Sequence, residues 1–212
     1  MNYPVIILGA GGHAKVLIDA LRVQSAELLG IADADPDKKG QMLLGVPVLG
    51  GDDEVMKYPA EKIKLVSGIG SVRVNPLRRK LFEYFKSEGY QFASVTHPSA
   101  IIARDVVLSE GVQIMAGAVI QAGCHVGINA IINTGAVVDH DCSIGDHAHI
   151  APGVTLSGGV VVGENAHVGT GATVIQGVRI GRNSLVAAGA VVIHDVAEGA
   201  TVSGVPAKEG LK

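Results

Sequence analysis

Aliphatic residues recur at every sixth position of this chain from Ile102 to Val192, in a register that runs from Ile101 to Val196 without an insertion. The anchors open with Ile102, Leu108 and Ile114 and close with Ile180, Val186 and Val192, and all are branched aliphatics. Three residues after each anchor stands Gly, Asn or Asp, with His147 as the exception. Four residues after each anchor stands Ala, Val, Cys or Ser. A fixed short period of this kind marks a repeat architecture, and six-residue repeats stack into a parallel β-helix whose coils contact only their neighbours. The anchor points inward and fills the coil. The residue four later is small because it faces the same interior near a corner. The Gly, Asn or Asp between them marks the turn, since those residues enter left-handed backbone space at least cost. An antiparallel sheet would alternate with a period of two, which this stretch lacks.

Residues 1–96 have a different texture. The apolar run Val5–Leu8 is followed by Gly9-Ala10-Gly11-Gly12-His13-Ala14, and then Val16, Leu17, Ala20 and Leu21 form a helical stripe. Leu28–Ala32 reads as a second strand and Ile63–Ser67 as a third. Asn75-Pro76 is a helix start, with Asn as cap and Pro in the first turn, and that helix carries Leu77, Leu81, Phe82 and Phe85. Gln91–Val95 reads as a last short strand. Alternating strands and helices predict a small Rossmann-like α/β domain over 1–96, and the coils and a C-terminal tail occupy 97–212.

Composition fits this division. Aromatics are only 3% of the 212 residues and Trp is absent, so stacked aliphatics must supply the core, each contributing roughly 1.5–3 kcal/mol on burial. The net charge of −3 without a basic cluster argues against a nucleic-acid partner. There is no signal-peptide pattern and no long apolar run. The expectation is a soluble, cytoplasmic protein with no membrane insertion. Cys124 and Cys142 both fall on the small interior position and are expected to be buried, reduced thiols.

Three sets of residues carry candidate chemistry. Gly9-x-Gly11-x-x-Ala14 lies between a strand and a helix, where backbone N–H groups attract phosphate and glycine permits close approach. Asp33 ends the next strand, about where a ribose-binding carboxylate would sit. This predicts a nucleotide ligand without specifying NAD, and the domain has too few strands for a full dinucleotide fold. His13 is read equally as a cap or packing residue and as a diphosphate contact. The second set is His125, His149 and His167, at one outward repeat position. His149 and His167 would stack at ~4.8 Å if three hexads make a coil. They are expected to be surface histidines on a regular ladder; a metal pair of the γ-carbonic-anhydrase kind is the alternative. The third is Asp139-His140-Asp141, an imidazole between two carboxylates, which is the equipment of a general base. His194-Asp195 repeats the dipeptide three coils later, and periodicity alone does not choose between His140 and His194.

Three blocks together, Gly9–Lys15, Ile132–Cys142 and Gly204–Lys208, resemble the sialic-acid O-acetyltransferase and nucleotide-4-aminosugar N-acetyltransferase group of hexapeptide-repeat enzymes. Within it the chain is most similar to the N-acetyltransferases for UDP-linked bacillosamine precursors and for GDP-perosamine. The resemblance implies a left-handed coil and a homotrimer with acetyl-CoA bound between neighbouring coils. It implies transfer of acetyl from acetyl-CoA to the 4-amino group of a UDP- or GDP-linked 4-amino-4,6-dideoxysugar, with no metal. His140 aligns with the catalytic base and Asp141 with the acid that sharpens it, although some members carry Glu there and Asp139 competes for the role. Gly11, Gly12, His13, Asp33 and Gly70 align with sugar-nucleotide contacts, and Asn133 lies near the acceptor. His149, Thr170 and Ala188 align with acetyl-CoA contacts. Sialic-acid O-acetylation is the runner-up, and a metal-using or non-catalytic β-helix protein is the reading from another class.

Overall fold

The computed structural model describes residues 3–71, 74 and 76–210. The chain forms two compact units, one of Met1–Gly70 with Leu77–Pro98 and one of Ser71–Pro76 with Ser99–Lys212. The expected Asn75 cap lies outside the described residues.

In the first unit, β1 (Val5–Leu8) is followed by α1 (Gly12–Val23) and β2 (Leu28–Ala32). A hairpin of β3 (Met42–Leu43) and β4 (Val46–Gly50) comes next, then the short α2 (Asp52–Val55), β5 (Lys64–Ser67) and α3 (Pro76–Ser87). The sheet order is β3-β4-β2-β1-β5, parallel except for the β3–β4 pair. All four residues of β1 are buried, as a central parallel strand covered on both faces requires. Helix α1 buries Ala14, Leu17, Ile18, Ala20 and Leu21, whereas Val16 is exposed. On α3, Phe82 and Phe85 are buried but Leu77 is exposed. The hairpin is an addition to the sequence reading. Its turn, Leu44-Gly45, has positive φ at both residues, and Leu44 is not a residue that advertises that conformation. The expected strand at Gln91–Val95 reduces to a bridge between Leu65 and Phe92 and a two-residue strand at Val95–Thr96.

In the second unit the pairing confirms three hexads per coil. Ile131 pairs with His149, and His149 with His167, always in parallel. Three ladders of two-residue strands result, running through Val119, Val137 and Thr155, through His125, Ser143 and Val161, and through Ile131, His149 and His167. The anchors and the small residues four places later form one continuous core. From Gly111 to Gly189 the turn slot has positive φ throughout, including His147 at 58°. The last coil is shorter than the period implies. Val196 pairs with Ile180 and Leu185 with Thr201, so Val196 stacks on an anchor instead of filling the small corner position. A short antiparallel strand, Lys208–Glu209, closes the end on Thr201–Ser203.

Candidate active site

In the first unit the glycine loop emerges from β1, between β2 and β5, where the order of parallel strands reverses. Ligands of open α/β sheets bind at that point. Gly9 has a φ of 96° and lies close to Ile69. Gly11 and Gly12 differ: neither has positive φ, and a Cβ on either would meet nothing within 4 Å. Their lack of side chains therefore answers no need of the unit itself, and it leaves backbone open to an incoming group at the start of α1. His13 sits in the first turn of α1, and Gly70 packs against it, its Cβ position only 3.1 Å from the His13 Cβ. Asp33 braces the loop. Its Oδ2 accepts the Ala10 N–H at 2.6 Å and the Lys38 ammonium at 2.9 Å, and its Oδ1 accepts the Asp35 N–H. Burial would raise its pKa, but these donors together hold its carboxyl below the usual range.

In the second unit His140 occupies a corner with its side chain half exposed. Its Nδ1 lies 2.8 Å from Asp141 Oδ2. An ionised carboxylate only accepts, so Nδ1 carries the proton and Nε2 is the basic nitrogen. Asp139 makes a different contact: its Oδ1 accepts the His140 backbone N–H at 2.8 Å. The hydrogen bond donated to Asp141 and then the charge of Asp139 raise the imidazole pKa above its ordinary value.

The geometry also separates His140 from His194. Asp195 uses its Oδ1 on the Arg179 N–H, and Asp105 uses its carboxylate on the Gly123 N–H. Both cap the backbone of a neighbouring coil. Asp141, in the same turn slot with φ 59°, turns its carboxylate to the imidazole.

His149 and His167 are not surface histidines, as the ladder had suggested: each is only 4% exposed. Their rings meet edge to face with centroids 4.9 Å apart. Ser71 Oγ lies 2.9 Å from His149 Nδ1 and 3.3 Å from His167 Nδ1, and Asn133 Nδ2 is 3.1 Å from His149 Nε2. Asn133 Oδ1 accepts the Thr134 N–H, which fixes the amide's orientation. Nε2 of His149 is thereby an acceptor, and its Nδ1–H donates to Ser71. The structure thus brings Asn133 and His149 together. Thr170 and Ala188 stack on adjacent coils at an exposed corner, linked through the Gly189 N–H to the Thr170 carbonyl.

Ser71 escaped the sequence reading because no local signal places it beside the coil histidines. Gly158 also escaped it, although it lies eighteen residues after His140, one full coil on. Both cysteines are buried and unbridged, and burial pushes the Cys142 thiol up to about 11, so neither is a ready nucleophile. Among the described residues no group of three or more His, Cys, Asp or Glu is arranged to hold a metal ion. No helix among them is long and apolar enough to cross a membrane.

Residues 4–85 match the family described as PglD N-terminal domain, and residues 123–158 and 159–194 match the bacterial transferase hexapeptide (six repeats). No curated protein matches the chain. Among solved structures, a histidine-to-asparagine variant of perosamine N-acetyltransferase from Caulobacter crescentus, in complex with CoA and GDP-perosamine, is 43% identical. It covers 100% of this chain and 99% of its own, with a TM-score of 0.93. The acetyltransferase domain of PglB from Neisseria gonorrhoeae FA1090, in complex with acetyl coenzyme A, is 33% identical over 99% of this chain and 100% of its own, with a TM-score of 0.90. WeeI from Acinetobacter baumannii AYE is 28% identical over 98% and 100%, with a TM-score of 0.89. The coils are accordingly those of a left-handed parallel β-helix.

Proposed function

We infer that this chain, which belongs to the nucleotide-4-aminosugar N-acetyltransferase family, transfers acetyl from acetyl-CoA to the 4-amino group of a nucleotide-linked 4-amino-4,6-dideoxysugar, with His140 as general base. It is an acetyl-CoA-dependent sugar N-acetyltransferase. The observation that carries the role of His140 is its 2.8 Å contact with Asp141, which leaves Nε2 as the basic nitrogen at a half-exposed corner.

The chemistry needs little else. The amine nitrogen attacks the thioester carbonyl, and Nε2 of His140 takes the proton the nitrogen gives up. The tetrahedral intermediate collapses by breaking the C–S bond. The imidazolium then returns the proton to the departing thiolate. An acyl-enzyme is disfavoured because both thiols are buried and protonated. The loop Gly9–Lys15 holds the diphosphate through N–H groups at the start of α1, with His13 and Gly70 beside it and Asp33 keeping the loop in shape. Asn133 orients His149, and His149, Thr170 and Ala188 contact acetyl-CoA. GDP-perosamine is the first substrate to test, given the 43% identity to an enzyme crystallised with it. The β-branched outward column Val119, Val137, Thr155, Thr173 and Val191 suits the lateral face of a homotrimer, and the enzyme works in the cytoplasm.

The test is a product assay by mass spectrometry with acetyl-CoA and GDP-, UDP- and dTDP-linked amino sugars. One acetyl group on the amine of one class of sugar nucleotide supports the proposal. Acetyl on a hydroxyl, as in sialic-acid O-acetylation, or no transfer to any amino sugar, refutes it.

A further inference from the structure

We propose that Gly158 is a positioning residue for His140: its missing side chain is the space in which the imidazole lies. The inference rests on the reading of His140 as the base. An ideal Cβ on Gly158 would stand 2.5 Å from both Cε1 and Nε2 of His140 and 3.1 Å from Cδ2. These are the three nearest atoms it would meet, and all belong to that ring. Non-bonded carbon atoms settle at about 3.5–4.0 Å, so a methyl group there would displace the ring by about 1 Å.

Nothing else at this corner demands glycine. Gly158 does not have positive φ; the turn is made by Gly159, at 68°. The same repeat position on other coils holds Ala122, Gln176 and His194, so the coil accepts a side chain here. Gly158 is nevertheless buried, under a ring that is itself half exposed. Two contacts therefore define the ring's place. Asp141 grips Nδ1 from its own coil, and the bare backbone of the next coil supports Cε1 and Nε2. A ring swung clear of a Cβ would also leave its hydrogen bond to Asp141.

The test compares the wild-type enzyme with Gly158→Ala, His140→Asn and the double variant. Gly158→Ala should lower kcat by about 10–100-fold, since a displacement near 1 Å can cost about 10² in rate. Melting temperature and acetyl-CoA affinity by calorimetry should hold. The NMR titration of His140 should move toward that of an ordinary imidazole, because the ring loosens from Asp141. Adding Gly158→Ala to His140→Asn should cost nothing further, as expected for a residue acting only through the ring. An equal loss in both backgrounds, or a wild-type kcat with an unmoved titration, overturns the proposal. If His140→Asn keeps wild-type turnover, the base assignment fails instead. The His140 titration in Gly158→Ala then decides the role of Gly158 by itself: a shift sustains it and no shift overturns it.

Discussion

Replacing Asp141 by Asn should shift the acidic limb of the pH profile and cost only a modest part of the rate. Asn is the right substitution because residue 141 has a φ of 59°, and Asn tolerates left-handed backbone better than most residues. The turn therefore survives, and so should the melting temperature. The carboxylate does two things for His140: its hydrogen bond raises the pKa, with the charge of Asp139 adding to it, and it selects the Nδ1–H tautomer. The Asn carbonyl can still accept the Nδ1–H, so orientation weakens without vanishing. The pair is also open to water, with 54% of the His140 side chain and 71% of that of Asp141 exposed. Solvent screening makes such a pair worth far less than a buried one. A buried triad aspartate changed to Asn costs about 10⁴ in kcat; here about 10-fold is expected. The sign follows from the raised pKa. A base must be neutral, so kcat/KM falls as pH drops through the imidazole pKa. Removing the carboxylate lowers that pKa, and the acidic limb must move to lower pH. Asp139 remains, so the return toward an ordinary imidazole is incomplete. Initial rates from pH 5 to 9 read both effects. A limb that stays in place or moves upward would refute the assignment of Asp141 as the partner that tunes the base.

Three other outcomes follow from the same geometry. Val168 is completely buried in the coil core, so Val168→Asp should remove soluble protein or lower the melting temperature by about 10 °C or more; an unchanged melt would show that the interior is not packed as described. Gly11→Val should raise KM for the sugar nucleotide and leave acetyl-CoA affinity nearly intact, because the side chain fills open space above the loop; steady-state kinetics with each substrate varied checks this, and the reverse pattern would move the nucleotide elsewhere. His194→Ala should keep most of the activity, since Asp195 is committed to the Arg179 N–H; a loss as large as that of His140→Ala, expected at roughly 10²–10⁴ in kcat, would move the base to the last coil.

The coil interior was legible from sequence because each side chain there has one job set by period. Anchors fill, small residues turn the corner, and left-handed residues let the chain bend. Even His147, which broke the rule by type, kept it by conformation. The register failed where it ran out, at Val196, because two residues fewer in the last coil change which column a residue joins. The α/β unit was less legible. The Leu44-Gly45 hairpin uses a leucine where turns favour Asn or Gly, so β3 and β4 gave no local warning. The burial of His149 and His167 was illegible for a different reason. Their repeat position is outward, and the contacts they make there, with Ser71 and with each other, are non-local.

The choice between His140 and His194 shows what a repeating fold does with one residue type. Asp105, Asp141 and Asp195 share the turn slot of a hexad. At the two ends of the series the carboxylate caps an N–H of the neighbouring coil, a structural use any turn acid could serve. In the middle, left-handed backbone swings it to an imidazole one residue away. The dipeptide alone cannot distinguish the uses at 141 and 195, because both read His-Asp. The difference is set by backbone conformation at residue 141 and by the missing side chain one coil further on, at Gly158. Because stacked coils depend mainly on their neighbours, a catalytic corner needs only local changes of side chain within a backbone that keeps the column's left-handed turn at residue 141. The anchors above and below keep their period, and the core is undisturbed beneath the site.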